Sequence, residues 1–387
     1  MSNEKKVTKK MSKKDKMKIY KVLFVLQIIS EVLATVVVMA SKMVPTKYLI
    51  VAVLILLFYT MIVGMLLFYK RLKWQKIIAV VMSVIMTIAM FAISIFLIKA
   101  LSTLNGMVDG EVSSDVSVVN EPFAVYLSGS DTRDATLSED SRSDVNIIMV
   151  VNPKTKRILL LNTPRDYYIN NPALGRMDKL THCGNDGIDN SMDALGELYG
   201  IDIDFYGQIN FSGFETLIDE LGGIDIDSPI AFKASNYPYT QFSQGVQHVN
   251  GADALAFARE RYSFAGGDNT RGSNQMQVIT AVIDEVTHDG VGLLMNYGGI
   301  MDSLEGMFKT SLQNGDISSI VKMQLNDMAE WNVESYAVTG KGASRSTSGG
   351  NAYVMIPDES TVEEAKAKIA SVVNGEPAVI DEVPVEE

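Results

Sequence analysis

Three apolar runs open the chain. Val22–Ala40 is broken only by Glu31, while Tyr48–Tyr69 and Ile77–Ile98 carry no charge. A helix of 22 residues is about 33 Å long, against a hydrocarbon core of about 30 Å. Each run is therefore long enough to span a bilayer. Tyr20, Tyr48, Tyr69 and Trp74 flank the runs, where amphipathic rings favour the membrane interface. Glu31 is expected to pack against a neighbouring helix or to meet headgroups, with an intramembrane site as the alternative.

Beyond the third run the pattern changes to short apolar segments between turn residues. Phe123–Leu127, Val145–Val151, Arg157–Asn162, Asp204–Ile209 and Ile224–Ile226 read as strands. Asp189–Tyr199, Phe211–Leu221, Gly251–Phe257, Asn269–Val286, Leu293–Phe308 and Ile317–Met328 read as helices. Alternation of the two predicts a layered α/β domain. The division expected is a basic tail (1–18), three spans (19–98), a polar linker (99–120, with Leu101–Val119 at its heart), a folded domain (121–372) and an acidic disordered tail (373–387).

Charge sharpens this division. Residues 1–100 hold 16 basic and 3 acidic residues of the chain totals of 34 and 46, so 18 and 43 remain downstream. Lysines crowd the N-terminus, and Lys70, Arg71, Lys73 and Lys76 sit between the second and third runs. The positive-inside rule then puts the N-terminus in the cytoplasm and the acidic domain outside the cell membrane. A cleaved signal peptide fits poorly, because the first run is long and two more follow. Cys183 is the single cysteine, so no intramolecular disulfide forms. Three histidines argue against a histidine-rich metal site. No Walker loop, G-x-S-x-G elbow, H-E-x-x-H or DNA-reading helix-turn-helix occurs, and no nucleic-acid partner is expected.

Three clusters carry chemistry. Gly129–Arg133 with Ser141–Asp144 brings Asp131, Asp144, Arg133 and Arg142 to strand ends, enough for a hard cation beside an anion; a solvated loop is the competing reading. Thr163–Asp166 follows a strand, where proline fixes the turn and Arg165 comes to a strand C-terminus, the end at which open α/β sheets place ligands; an ordinary turn is the competing reading. The third cluster is Arg259, Arg261, Asp268, Arg271 and Gln275. Arg259 and Arg261 share a face only if the chain is extended there, so the helix is expected to end near Phe257. Arg271 and Gln275 are four apart and share a helix face. Such an arrangement suits a multiply charged anion; a buried ion-pair network with Glu260 and Asp268 is the alternative. Lys179 is a candidate fourth contact or a surface lysine. His182 and Cys183 are read as structural, for want of a group to orient a nucleophile.

In order and spacing, Gly129–Arg133, Arg142–Asp144, Thr163–Asp166, Asp178–His182, Phe211–Asp225 and Arg259–Gln275 resemble the LytR-CpsA-Psr family of cell-envelope proteins. The resemblance covers roughly residues 121–290 and continues more loosely to about 372. It implies an α/β/α sandwich with a central mixed sheet and an apolar lipid pocket. It also implies a phosphotransferase that moves a teichoic acid or capsular polysaccharide from an undecaprenyl diphosphate carrier in the membrane to peptidoglycan. On that resemblance Asp131 and Asp144 hold Mg²⁺ (or Mn²⁺), while Arg133, Arg142, Lys179, Arg259, Arg271 and Gln275 surround the diphosphate. Arg165, Asp166, Arg261 and Asp268 take part in catalysis, with Asp166 or Asp268 as candidate base. The family's usual Arg-Gln-Gln is Asn274-Gln275-Met276 here, its Asn-His-Ala is Thr181-His182-Cys183, and Thr163 replaces a common Ile or Val. A polyprenyl diphosphate-linked diphosphatase and a non-enzymatic envelope regulator are the alternatives.

Overall fold

The computed structural model describes residues 12–69, 72–108, 114–132, 136–137, 143–237, 239–264, 268–288, 300–301 and 303–377. The chain divides into two units, residues 1–101 and 102–387.

The first unit consists of three apolar helices, each long enough to cross a membrane. They are α1 (Lys13–Ser41), α2 (Thr46–Gly64, extended by a π turn over Met65–Tyr69) and α3 (Lys73–Met107). Most apolar side chains point outward, as expected of a bundle whose solvent is lipid. The polar ones turn inward. Glu31 is buried, accepting from Gln27 Nε2 at 2.8 Å and from Thr60 Oγ1 of α2 at 2.5 Å. Tyr59 Oη donates to the Met82 carbonyl at 3.0 Å, tying α2 to α3. Glu31 thus packs against a neighbouring helix, the first of the roles expected for it. The third helix also runs beyond its apolar segment, through the start of the stretch read as a linker.

The second unit is built on strands β1 (Phe123–Ser130), β2 (Ser143–Asn152), β3 (Arg157–Asn162), β4 (Tyr168–Asn171), β5 (Arg176–Lys179), β6 (Phe205–Asn210) and β7 (Ile224–Ser228). These are followed by β8 (Phe232–Lys233), β9 (Gln241–Phe242), β10 (Gly245–Val249), β11 (Phe308–Thr310), β12 (Asn332–Ala337), β13 (Gly340–Thr347) and β14 (Gly350–Pro357). Its helices are α4 (Leu180–Cys183), α5 (Ile188–Tyr199), α6 (Phe211–Glu220), α7 (Gly251–Arg259), α8 (Asp268–His288), α9 (Asn314–Asp327) and α10 (Glu359–Asn374). Among the described residues the central sheet runs β11-β6-β1-β2-β3-β12. The β1–β6 and β3–β12 pairs are parallel and the other pairs antiparallel, so the sheet is mixed.

Alternation along the strands makes two cores. Tyr126, Ile148, Leu159 and Leu161 face one side, where α5 and α10 cover them with Leu195 and Ile369. Val125, Ile147, Ile158 and Leu160 face the other, where α8 contributes Met276 and Ile279. Every residue of β3 is buried, as a central strand covered on both faces requires. A satellite core around Ile218, Ile224, Phe242 and Phe257 joins α6, α7 and α8.

Several elements differ from the sequence reading. The helix expected over Leu293–Phe308 falls partly outside the described residues, and Phe308 opens the edge strand β11. β12, the β13–β14 hairpin and α10 were not anticipated. Val118, inside the expected linker, is buried in the sheet core.

Candidate active site

The two acidic positions reach one cavity through an irregularity in β1–β2. Gly129 pairs with Val145, but Ser130 pairs with Ser143, leaving Asp144 as an extra residue. Such a bulge re-aims a side chain at a strand end. Glycine is needed beside it, since a Cβ at 129 would lie 2.8 Å from Val145 Cγ2. Asp131, just past β1, and Asp144 both line a cavity of about 490 Å³.

Arg165 enters the same cavity from the turn after β3, and its Nη1 donates to Asp144 Oδ1 at 2.6 Å. Behind it, Lys179 Nζ donates to Asp166 Oδ1 at 2.8 Å, and Arg165 Nε lies 3.8 Å from Asp166 Oδ2. Lys179 and Asp166 thus stand behind the wall and do not line it. Thr163, at the start of this turn, shares a 2.7 Å hydrogen bond with the buried Tyr199 hydroxyl, so the polar replacement has its partner.

The arginine pair is set by the end of α7. That helix runs to Arg259, two residues further than expected, and the chain turns extended at Glu260 (φ −69°, ψ 135°). Arg259 and Arg261 consequently both line the cavity. Arg259 Nη1 donates to Tyr237 Oη at 3.1 Å, its Nη2 lies 3.4 Å from both Asp131 oxygens, and its guanidinium sits 4.3 Å above the Phe211 ring. Glu260 is buried between the two arginines. It accepts from the amides of Arg261, Tyr262, Ser263 and Ser235 and from the Ser235 hydroxyl. Burial alone would raise its pKa; these bonds outweigh burial and hold it below the ordinary glutamate value.

From α8 come Arg271 and Gln275, one turn apart on the cavity wall. The helix lies close on β3 because residue 272 is glycine: a Cβ there would be 2.2 Å from Asn162 Nδ2. Asn274 is turned away, buried with its Nδ2 on the Phe257 carbonyl at 3.1 Å. The neutral residue at this position therefore subtracts no charge from the wall as it stands. Asp268 opens α8, and its side chain, like all of Arg133 and Arg142, lies outside the described residues.

Behind the charged mouth the wall is apolar. Ile209, Phe214, Leu217, Ile279, Val282 and Ile283 line it. At about 1.5 Å per residue, Ile283 lies roughly 18 Å along α8 from Arg271. The cavity therefore joins a guanidinium-lined end to an apolar end. Asp131 and Asp144 offer hard oxygen donors at the mouth. That set suits Mg²⁺, which keeps water and accepts phosphate oxygens alongside one or two carboxylates.

One expectation is corrected nearby. His182 does have an orienting group: its Nδ1 lies 2.7 Å from the buried Asp178 carboxylate. Ser348 Oγ is 3.2 Å from that same nitrogen, whereas a triad places the nucleophile on the other one. Burial pushes the Cys183 thiol up to about 12, and its Sγ faces the Lys179 carbonyl. The structural reading of both residues stands. Sequence reasoning missed Tyr237, Phe211, Asn236 and the role of Glu260. Only Glu260, between two singled-out arginines, carried a signal.

The fold is a mixed-sheet α/β domain with a cavity lined by four arginines, two carboxylates and an apolar wall. A sequence model of the LytR_cpsA_psr family matches residues 95–371. The chain belongs to the LytR-CpsA-Psr family.

Its relatives include "Polyisoprenyl-teichoic acid--peptidoglycan teichoic acid transferase TagU" from Enterococcus faecalis, 30% identical over 64% of this chain and 83% of the relative. The protein of the same name from Halalkalibacterium halodurans is 31% identical over 67% of this chain and 82% of its own length. Among solved structures, "TagT bound to LIIa-WTA" aligns with a TM-score of 0.55 at 25% identity, covering 68% of this chain and 97% of that one. Bacillus subtilis TagV, at 24% identity and a TM-score of 0.53 over 67% of this chain and 99% of its own, shares the fold.

Proposed function

We propose that this protein transfers an anionic glycopolymer of the teichoic acid class from a polyprenyl diphosphate carrier to peptidoglycan, forming a phosphodiester. One observation carries the reading: a single cavity joins an apolar wall to Arg165, Arg259, Arg261 and Arg271 at its mouth. The relatives named as teichoic acid transferases supply the polymer and the acceptor.

Phosphoryl transfer asks the protein for position and charge rather than covalent chemistry. The prenyl chain lies along the apolar wall, and the guanidiniums hold the diphosphate oxygens in pairs. A peptidoglycan hydroxyl attacks the phosphorus next to the sugar and passes its proton to a base, the role proposed for Asp268. The bond from that phosphorus to the bridging oxygen breaks, and polyprenyl monophosphate leaves. The arginines stabilise the charge that gathers on this leaving group. Asp166, bonded to Lys179 and set behind the wall, orients Arg165 in this scheme and is not the base. Asp131 and Asp144 would hold Mg²⁺, which supplies further positive charge to the diphosphate. Three apolar helices keep the enzyme in the bilayer that carries its donor, with the N-terminus inside and the catalytic domain outside by the distribution of lysines.

The test is reconstitution of the full-length protein with a polyprenyl diphosphate-linked teichoic acid, peptidoglycan and Mg²⁺. Polymer bound to peptidoglycan through a phosphodiester is the expected product. Free phosphorylated polymer in the presence of acceptor would instead identify a hydrolase.

A further inference from the structure

The strip Ser235–Tyr237 is bonded to the segment that carries Arg259 and Arg261. Ser235 gives its amide and its hydroxyl to Glu260, at 2.7 and 2.8 Å. Glu260 in turn fixes the amide of Arg261 at 3.0 Å. Two residues on, Tyr237 Oη accepts from Arg259 Nη1 at 3.1 Å. The strip is thus stitched to the arginine segment at two points, and Asn236 between them faces the cavity.

A long, flexible arginine must be fixed before its planar fork can meet phosphate oxygens. Arg259 has three such supports: Asp131, Tyr237 and the Phe211 ring. They are not equivalent. Asp131 is a carboxylate that a cation would claim, so its contact with Arg259 is open to exchange when the site fills. Tyr237 and Phe211 are neutral and have no reason to let go. Tyr237 leaves the other guanidinium nitrogens for an anion.

We propose that Tyr237 is a positioning residue for Arg259, holding the guanidinium, together with the Phe211 ring beneath it, in the orientation that accepts the substrate diphosphate. The inference rests on the diphosphate reading above and names no direct contact between Tyr237 and substrate.

The experiment measures equilibrium binding of geranylgeranyl diphosphate to the full-length protein in detergent micelles. Tyr237→Phe removes one oxygen and should weaken binding about three- to tenfold, the range for one lost hydrogen bond. In an Arg259→Ala background the same change should add nothing, because the group being positioned is gone. A residue that merely supports the fold would add its full penalty there. Unchanged binding in Tyr237→Phe, or full additivity on Arg259→Ala, overturns the proposal. Phe211→Leu carries the same cycle if Tyr237→Phe fails to fold. Wild-type affinity in Arg259→Ala itself would instead overturn the diphosphate reading.

Discussion

Arg165 and Asp144 meet at 2.6 Å across the mouth of the cavity, though 21 residues separate them in the chain. One is proposed for the diphosphate and the other for the cation, so this ion pair competes with both ligands.

Arg165→Ala should therefore act in two directions. Transfer should fall about 10²–10³-fold, as when one preorganised donor to a developing charge is lost. Mn²⁺ binding, followed by electron paramagnetic resonance without any diphosphate, should strengthen, because Asp144 loses a competing cation. Weaker Mn²⁺ binding in the variant would remove Asp144 from the metal site.

Glu260 links acid stability to the site. Its pKa is lowered by folding, so the folded state binds fewer protons than the unfolded one near that value. The stabilisation is fully present above the ordinary value of 4.5 and is lost as pH falls through the lower folded value. Glu260→Gln should cost about 1–3 kcal/mol at neutral pH, because the carboxamide keeps one accepting oxygen and sets an NH₂ group where the other accepted from the Ser235 amide. It should also flatten the fall of the thermal midpoint below pH 4.5. Parallel acid profiles for the two proteins would refute this assignment.

Gly272→Ala places a methyl against Asn162, inside van der Waals contact. The Asn162 carboxamide must swing aside or helix α8 must lift from β3, at a cost of about 1–3 kcal/mol for overpacking. Arg271 and Gln275 ride on the same helix, so diphosphate affinity should drop together with the thermal midpoint. An unchanged melting curve would show that the contact is not tight.

Ile283→Trp narrows the apolar wall roughly 18 Å from Arg271, by the rise of the helix. Binding of geranyl diphosphate should hold while that of a much longer polyprenyl diphosphate weakens. Equal loss for both chain lengths would mean that Ile283 does not border the lipid path.

The central strands were legible because a short apolar run bounded by turn residues is a local signal. Arg157–Asn162 was read to the residue, and β1 and β2 to within three. The C-terminal elements were not. Asn332–Ala337 is a half-buried edge strand of mixed polarity, and Gly340–Thr347 is a mostly exposed run of small and polar residues. Neither shows the contrast that periodicity needs. In α10, Val362, Ala365, Ile369 and Val372 recur at helical spacing, and the signal is only diluted by alanine and serine. At the site, residue types announced the chemistry, and the arginine pair needed only the correct helix end. The bulge that makes Asp144 an extra residue is a pairing property, and one strand's sequence does not contain it. Tyr237 arrives on a loop whose path is set by Glu260, far along the chain.

Glu31 has a last consequence, for biogenesis. Its carboxyl group lies mid-span on the first helix, and the hydroxyl that completes its hydrogen bonding belongs to Thr60 on the second. Entering lipid alone, the first helix would expose an acid with only Gln27, one turn away, to satisfy it. Paired with the second helix, the first hides that acid, so the two apolar segments satisfy it together. Grafting the first segment by itself onto another domain would give a poor tether, prone to slip from the bilayer or to seek a foreign hydroxyl.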